Sequence, residues 1–191
     1  MTGRRLLSTW LVALFTASLV SACRSEARSP SPDGGAQVLA LRMCPGNDVA
    51  VCEAACRGGD AEQCLRAGNS YSTGQGARLD EMRAAELLSL ACELGNAPAC
   101  TFSGRTYEFG HGVNRDFAKA NSLYALACER GDLGGGCYNE AIMLENGRGT
   151  ARDLRRALSL YQRVCAAGSS LACASGARLR SDTTLLDGGT L

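Results

Sequence analysis

The chain has 191 residues, enough for one domain or for an array of small units. Its 20 basic and 19 acidic residues nearly balance, which argues against the clustered positive surface that nucleic-acid binding requires. Eleven cysteines are too many for a reduced cytosolic protein without a metal, so they indicate an oxidising compartment.

Residues 1–22 have the pattern of a signal peptide. Two arginines form a basic start, and residues 6–20 are almost entirely apolar but too short for an ordinary membrane span. The segment ends in Val-Ser-Ala-Cys at residues 20–23, which resembles the lipobox of bacterial lipoproteins, in which the cysteine carries the lipid. We therefore predict that Cys23 is a lipid anchor; ordinary cleavage near Ala22 is the alternative.

Residues 23–43 are predicted to be a lipid-anchored flexible tether. They are rich in serine, proline, glycine and charge, and such a composition cannot bury a core. Arg24, rather than an aspartate, follows the lipid cysteine, which resembles the outer-membrane lipoproteins of Gram-negative bacteria. We expect an exported lipoprotein that faces the periplasm or the cell surface, on the outer membrane.

The other ten cysteines fall into five pairs with regular spacing. The pairs are Cys44 and Cys52, Cys56 and Cys64, Cys92 and Cys100, Cys128 and Cys137, and Cys165 and Cys173. The first cysteines of the last four pairs are 36, 36 and 37 residues apart. A fixed period in this range is typical of stacked-repeat architectures.

Each period contains a glycine loop followed by an amphipathic helix. The loops are Gly74-Gln75-Gly76, Gly110-His111-Gly112 and Gly147-Arg148-Gly149. Four residues later comes Asp80, Asp116 or Asp153, which predicts an N-cap. Apolar residues then recur at i, i+3, i+4 and i+7 from Ala84, Ala120 and Ala157, so each helix is predicted to bury one face.

A tight turn is predicted to join each of these helices to the next one. Gly59, Gly95, Gly131 and Gly168 suit the left-handed end of a helix, and Asp60, Asn96, Asp132 and Ser169 suit the following N-cap. The predicted fold class is therefore all-α: a right-handed α-solenoid of stacked helical hairpins, cross-linked by disulfides. The array is expected over residues 44–180, with repeats at about 61–95, 97–131 and 134–168, a partial unit at each end, and a tail at 181–191.

The paired cysteines lie close to the tight turn on either side, where two half-cystines can face each other across antiparallel helices. We predict a disulfide within each pair, worth about 2 to 3 kcal/mol in the chain-entropy model. For Cys44 an alternative remains, because Pro45-Gly46 breaks any helix before Cys52, and Cys52 could compete for Cys56. Structural zinc sites favour cysteines two to four residues apart, so neither metal nor cofactor is predicted.

Three motifs within residues 91–132 resemble Sel-1-like repeats, which are relatives of the tetratricopeptide repeat. They are Ala-Cys-Glu-x-Gly-Asn/Asp, Tyr-x-x-Gly-x-Gly-Val-x-x-Asp and Lys-Ala-x-x-Leu-Tyr. The cysteine pairs make residues 50–180 similar to the disulfide-bridged subgroup typified by the Helicobacter cysteine-rich proteins. The resemblance implies a binding scaffold or adaptor, and the subgroup implies a β-lactam-binding protein or β-lactamase as the alternative.

The residues give little support to catalysis. An acyl-serine β-lactamase needs Ser-x-x-Lys, but the only lysine, Lys119, follows Asp-Phe-Ala. A metallo-enzyme needs several histidines, and the chain has only His111, in a loop position that holds Gln75 and Arg148 in the other repeats. We predict that the protein is not an enzyme; a β-lactamase-like hydrolase is the alternative.

Binding is better motivated, because stacked hairpins present a concave surface lined by the first helix of each pair. Eight residues of these helices remain as candidate ligand contacts once the inferred core positions are removed: Arg66, Asn69, Ser70, Phe102, Arg105, Thr106, Asn139 and Met143. Arginine, asparagine and phenylalanine suit recognition of a peptide backbone and its carboxylates. We expect a protein or peptide partner, membrane contact through the lipid alone, no nucleic acid, and a monomer.

Overall fold

The computed structural model describes Cys44 and residues 48–186. In this part of the chain there are eight α-helices and no strand: α1 Val49–Arg57, α2 Ala61–Thr73, α3 Glu81–Glu93, α4 Ala97–Phe109, α5 Phe117–Glu129, α6 Tyr138–Asn146, α7 Leu154–Ala166 and α8 Ser170–Leu186. A π-helical segment, Leu133–Cys137, precedes α6. The predicted signal peptide, the lipid cysteine and the tether lie outside the described residues.

The second helices of the three repeats begin at the predicted aspartate caps, and the tight turns lie at the predicted glycines. The carboxylates of Asp80, Asp116 and Asp153 each accept a hydrogen bond of 2.9 Å from the backbone N–H three residues later. The four turn glycines have φ between 92° and 100°, the left-handed conformation that favours glycine. The predicted unit of helix, glycine loop, helix and tight turn is therefore confirmed.

The helices pack as consecutive antiparallel pairs. We call α2, α4, α6 and α8 the first helices and α1, α3, α5 and α7 the second helices. Within a repeat α2 packs on α3, α4 on α5 and α6 on α7, and each second helix also packs on the first helix that follows it. The predicted apolar stripe of α3 is buried, with no member more than 4% exposed. The predicted fold class, a disulfide-cross-linked solenoid of helical hairpins, is confirmed.

Close packing within and between repeats depends on glycine. A Cβ at Gly104 in α4 would lie 2.7 Å from Cε1 of Tyr124 in α5, so only glycine lets the two helices approach this closely. A Cβ at Gly149 would lie 2.1 Å from the carbonyl oxygen of Phe117, at the start of the preceding second helix. The second glycine of the loop thus stacks one repeat on the one before it.

All ten of these cysteines are paired as the spacing predicted. Cys56–Cys64, Cys92–Cys100, Cys128–Cys137 and Cys165–Cys173 bridge the tight turns, with Cα atoms 4.4 to 4.6 Å apart. The remaining pair is Cys44–Cys52, with Cα atoms 5.6 Å apart. The alternative pairing of Cys52 with Cys56 does not occur, because Cys56 is bonded to Cys64.

The third repeat departs from regular helix at its start. Its cysteines are nine residues apart instead of eight, and the extra residue is absorbed by the π-helical segment through three consecutive glycines. A Cβ at Gly136 would lie 2.6 Å from the backbone nitrogen of Cys128, so the segment presses directly on the end of α5. Because of this insertion, α6 has nine residues where α2 and α4 have 13.

The C-terminal boundary of the array differs from the prediction. We expected a tail from residue 181, but α8 continues to Leu186. Residues 187–191 lie outside the described part of the chain. Within residues 48–186, no helix is both long and apolar enough to cross a membrane.

Candidate functional site

Two grooves run between successive first helices. The α2–α4 groove has a volume of about 290 Å³ and is lined by Asn69, Ser72, Thr73, Glu81, Ala84, Leu88, Phe102, Arg105, Thr106, Phe109 and His111. The α4–α6 groove has a volume of about 360 Å³ and is lined by Arg105, Glu108, Phe109, Asn139, Ile142 and Met143. Arg105 and Phe109 line both, so α4 forms the ridge between them.

The structure brings six of the eight predicted binding residues to these grooves. Asn69, Phe102, Arg105 and Thr106 line the first, and Arg105, Asn139 and Met143 line the second. Two of the six offer little surface to a ligand. Thr106 is buried and its hydroxyl donates to the Phe102 carbonyl at 3.0 Å, while Met143 is 1% exposed and packs in the core beside Tyr124.

The other two predicted residues lie outside both grooves. Ser70 is 4% exposed, and its Oγ lies 3.9 Å from the Sγ of Cys44, so it belongs to the interior at the N-terminal end of the array. Arg66 lies on α2, where its Nε donates to a carboxylate oxygen of Glu62 at 3.2 Å, one helical turn away. We correct the prediction for Ser70, because this position of α2 faces the first disulfide.

Arg105 lines both grooves and is available to pair with an anionic ligand. Its side chain is exposed, and no carboxylate of the described residues lies within ion-pair distance of its guanidinium. Glu108, the acidic residue that lines the α4–α6 groove, is already engaged by the hydroxyl of Tyr124 at 2.6 Å and by the guanidinium of Arg148 at 2.9 Å. An anion that enters either groove therefore meets one unpaired positive charge.

The wall beside Arg105 is held by a tyrosine and a carboxylate that recur in the next repeat. Burial raises the pKa of Tyr124, and its hydrogen bond to Glu108 raises that pKa further. The equivalent Tyr161 donates to Glu145 at 2.8 Å, and burial again raises the tyrosine pKa. Both tyrosines stay protonated and donate to one oxygen of their carboxylate, while Arg148 or Arg178 contacts the other oxygen.

Phe109 and the rim of the α2–α4 groove were not among the predicted binding residues. Phe109 is 56% exposed although it is a large aromatic side chain. At the rim, Nδ1 of His111 lies 3.3 Å from a carboxylate oxygen of Glu81. A signal for Phe109 was present, because a phenylalanine precedes the loop glycine where the other repeats have Thr73 and Asn146.

The two side chains considered for catalysis are engaged in other contacts. Nζ of Lys119 lies 2.7 Å from the hydroxyl of Tyr107 and 4.0 Å from the centre of its ring. Neither the Nζ of Lys119 nor a ring nitrogen of His111 has a hydrogen bond to a serine side chain in the described part of the chain, and the hydroxyl of Ser122 donates only to the backbone carbonyl of Lys119. No group of His, Cys, Asp or Glu within the same residues is arranged to hold a metal ion. The grooves offer apolar and amide contacts and one cation, which suits binding.

A protein-family model described as "Sel1 repeat" matches three segments of the chain, residues 63–96, 97–132 and 135–169. Together the segments cover more than half of the sequence and coincide with the three repeats of the structure. Among curated proteins, no match was found.

Three solved structures are similar to this chain. A protective antigen of uropathogenic Escherichia coli strains, displaying an SLR fold, is 26% identical with a TM-score of 0.67, over 74% of this chain and 32% of that one. A Sel1 repeat protein from Oxalobacter formigenes is 24% identical with a TM-score of 0.61, over 65% and 51%. Cysteine rich protein B of Helicobacter pylori is 27% identical with a TM-score of 0.53, over 66% and 90%. This chain thus spans a third of the first protein and half of the second.

Proposed function

Since the chain belongs to the Sel1 repeat family, we propose that it is a binding scaffold whose two grooves take a protein or peptide segment that carries a carboxylate. The motifs in residues 91–132 predicted this family, and the match confirms it. Sel1 repeat proteins generally act through protein–protein interactions. The proposal for this chain adds a location for the contact and the chemistry of its ligand.

The unpaired Arg105 is the observation that carries the proposal. An exposed guanidinium between two grooves can form a bidentate pair with a carboxylate of a bound chain. Phe109 beside it is 56% exposed and offers apolar contact to a neighbouring side chain of the ligand. Asn69 and Asn139 lie in the grooves on either side and supply amides for the ligand backbone.

The test uses a displayed library of short peptides with free or amidated C-termini, panned against the oxidised protein. We expect selection of peptides that carry a carboxylate next to an apolar side chain. Arg105→Gln should weaken their binding about ten-fold or more, since a hydrogen bond to a charged group is worth about 1.5 to 3 kcal/mol. Arg155→Gln is the matched control, because Arg155 is an exposed arginine of α7 outside both grooves.

Two results would overturn the proposed contact. One is a panning experiment that enriches no peptide above a blank support. The other is a set of selected peptides that bind Arg105→Gln and Arg155→Gln as tightly as the unmodified protein. The second result would show that the selected peptides bind to a surface other than the α4 ridge.

We also propose that the scaffold is an exported lipoprotein, anchored through Cys23 and monomeric, on the outer membrane. The five disulfides support an extracytoplasmic location, because such bonds persist in oxidising compartments. Mass spectrometry of the mature N-terminus tests the anchor: a diacylated Cys23 is expected, and Cys23→Ser should release the protein into the soluble fraction. A mature chain that begins at another residue would reject the anchor without affecting the groove.

A further inference from the structure

Four of the five disulfides are shielded from solvent, and the fifth is not. All eight half-cystines of the first four pairs are at most 4% exposed. In the last pair Cys165 is half-buried and Cys173 is exposed. All five connect cysteines eight or nine residues apart, so this difference does not come from the spacing.

The shielding of the middle pairs comes partly from the repeat that follows each of them. A guanidinium nitrogen of Arg130, at the end of α5, lies 2.6 Å from the carbonyl oxygen of Cys92 and 3.3 Å from the Sγ of Cys100. Arg163 of α7 reaches the carbonyl oxygen of Cys128 at 3.3 Å and its Sγ at 3.7 Å. The last described helix is α8, and its Arg178 pairs with Glu145 and Asp182.

We propose that Cys165–Cys173 is a thiol–disulfide exchange site that reacts with an external dithiol while the other four bonds stay closed. A thiolate of the dithiol attacks the Sγ of Cys173, the exposed residue of the pair. The bond between the two protein sulfurs breaks, and Cys165 leaves as a thiolate with the electron pair. A mixed disulfide now joins Cys173 to the reagent.

The second thiolate of the dithiol completes the exchange. It attacks the reagent's own sulfur in the mixed disulfide and releases Cys173 as a thiolate. The reagent leaves as a disulfide, and two electrons have passed from the dithiol to the protein pair. Exchange depends on access of the attacking thiolate to the sulfur, and exposed disulfides are the labile ones in proteins.

The bond can open without unfolding the array, because α8 is also held by its packing. Ala172 and Leu179 are at most 2% exposed and belong to the core of the last repeat. A guanidinium nitrogen of Arg178 lies 2.7 Å from a carboxylate oxygen of Glu145. In contrast, Cys64 and Cys100 lie in the core at 0% exposure, so a reagent reaches their bonds only after the core opens.

The experiment is graded reduction of the folded, full-length protein with dithiothreitol at neutral pH. Samples are quenched, alkylated with iodoacetamide and mapped by mass spectrometry. We expect Cys165 and Cys173 to be alkylated at least about ten-fold faster than the other paired cysteines, with helicity by circular dichroism retained at that stage. In concentrated guanidinium chloride the five pairs should react at similar rates.

A different order of reduction would overturn the proposal. The proposal would be wrong if another pair reacted first or if all five pairs reacted together. It would also be wrong if helicity were lost when the first bond is reduced. Glutathione, a monothiol, tests which sulfur is attacked. An adduct on Cys173 is expected, whereas an adduct on Cys165, or no adduct at this pair, would contradict the assigned attack.

Discussion

The two ends of the repeat array differ in how they meet solvent. At the N-terminal end, Cys44 and Cys52 are 4% and 0% exposed, and their disulfide lies beside the buried Ser70. At the C-terminal end, Cys173 is exposed and Leu171 on the same helix is 61% exposed. Because both terminal disulfides join cysteines eight residues apart, the difference comes from the neighbouring structure.

The register of the repeats explains the difference. Cys52 occupies the α1 position that holds Leu88, Tyr124 and Tyr161 in the other second helices, where the side chain faces its own first helix. Cys44 bonds to it there, on the face of α1 against which no first helix packs among the described residues. Gly104 of α4 lies against Tyr124 of α5. Ala177 occupies the equivalent position on α8, yet it is exposed. One end is capped and the other is open, and terminal repeats generally need such caps.

Replacing each terminal pair by alanine gives the largest expected effect. Cys44→Ala with Cys52→Ala should lower the free energy of unfolding by about 4 kcal/mol, of which about 2.5 is loop entropy and the rest is lost burial. Cys165→Ala with Cys173→Ala should lose about 2.5 kcal/mol only, because the loops are equal in length and little burial is lost. Chemical denaturation of both variants checks this, and equal losses would show that the N-terminal cap adds nothing beyond its bond.

The second prediction concerns the glycine that couples the open end to the rest of the array. Gly149→Ala should cost about 3 kcal/mol or more, because the new Cβ would lie 2.1 Å from the Phe117 carbonyl oxygen at a φ of 69°. Gly147→Ala is the matched control: it has a similar φ of 63°, its nearest contact is 3.4 Å, and about 1 kcal/mol is expected.

Denaturation followed by two probes distinguishes these glycines. In Gly149→Ala we expect α7 and α8 to unfold before the first two repeats, so that circular dichroism and hydrogen exchange report different midpoints. Gly147→Ala should keep one coincident transition. Coincident transitions and equal losses in both variants would mean that the loop contact does not couple the repeats.

The recurring features of the fold were predictable because each has a local physical cause. Aspartate caps, left-handed glycines and the apolar stripe recur at fixed positions, so the hairpins followed from the sequence. The burial of Ser70 and Met143 could not be predicted in this way, because it depends on contacts with Cys44 and Tyr124, which lie far away in the sequence. The exposure of Cys173 could not be predicted either, since the number of residues between Cys165 and Cys173 is the same as in three of the shielded pairs.

The third prediction compares an internal tyrosine with its equivalent near the open end. Tyr124→Phe should cost about 2 kcal/mol, because Glu108 is 9% exposed and would lose a hydrogen bond to a buried charge. Tyr161→Phe should cost nearly as much, because the side chain of Glu145 is 12% exposed against 10% for Glu108, and each carboxylate keeps one arginine partner. Urea denaturation measures both, and a loss of stability at only one of the two positions would contradict the shared role of the tyrosine and its carboxylate.

The smallest expected effect on stability comes from removing a shielding arginine, yet it tests the cause of shielding directly. Arg130→Ala deletes the donor to the Cys92 carbonyl and should cost about 1 kcal/mol. If the following repeat shields each bond, this variant should be reduced faster at Cys92–Cys100, while the rate at Cys165–Cys173 stays the same. Arg155→Ala, an exposed α7 arginine, should change neither rate. An unchanged rate at Cys92–Cys100 would mean that packing of the cysteines in the core is sufficient to protect the bond from reduction. Cys165–Cys173 would then differ from the other pairs only in how deeply its cysteines are buried.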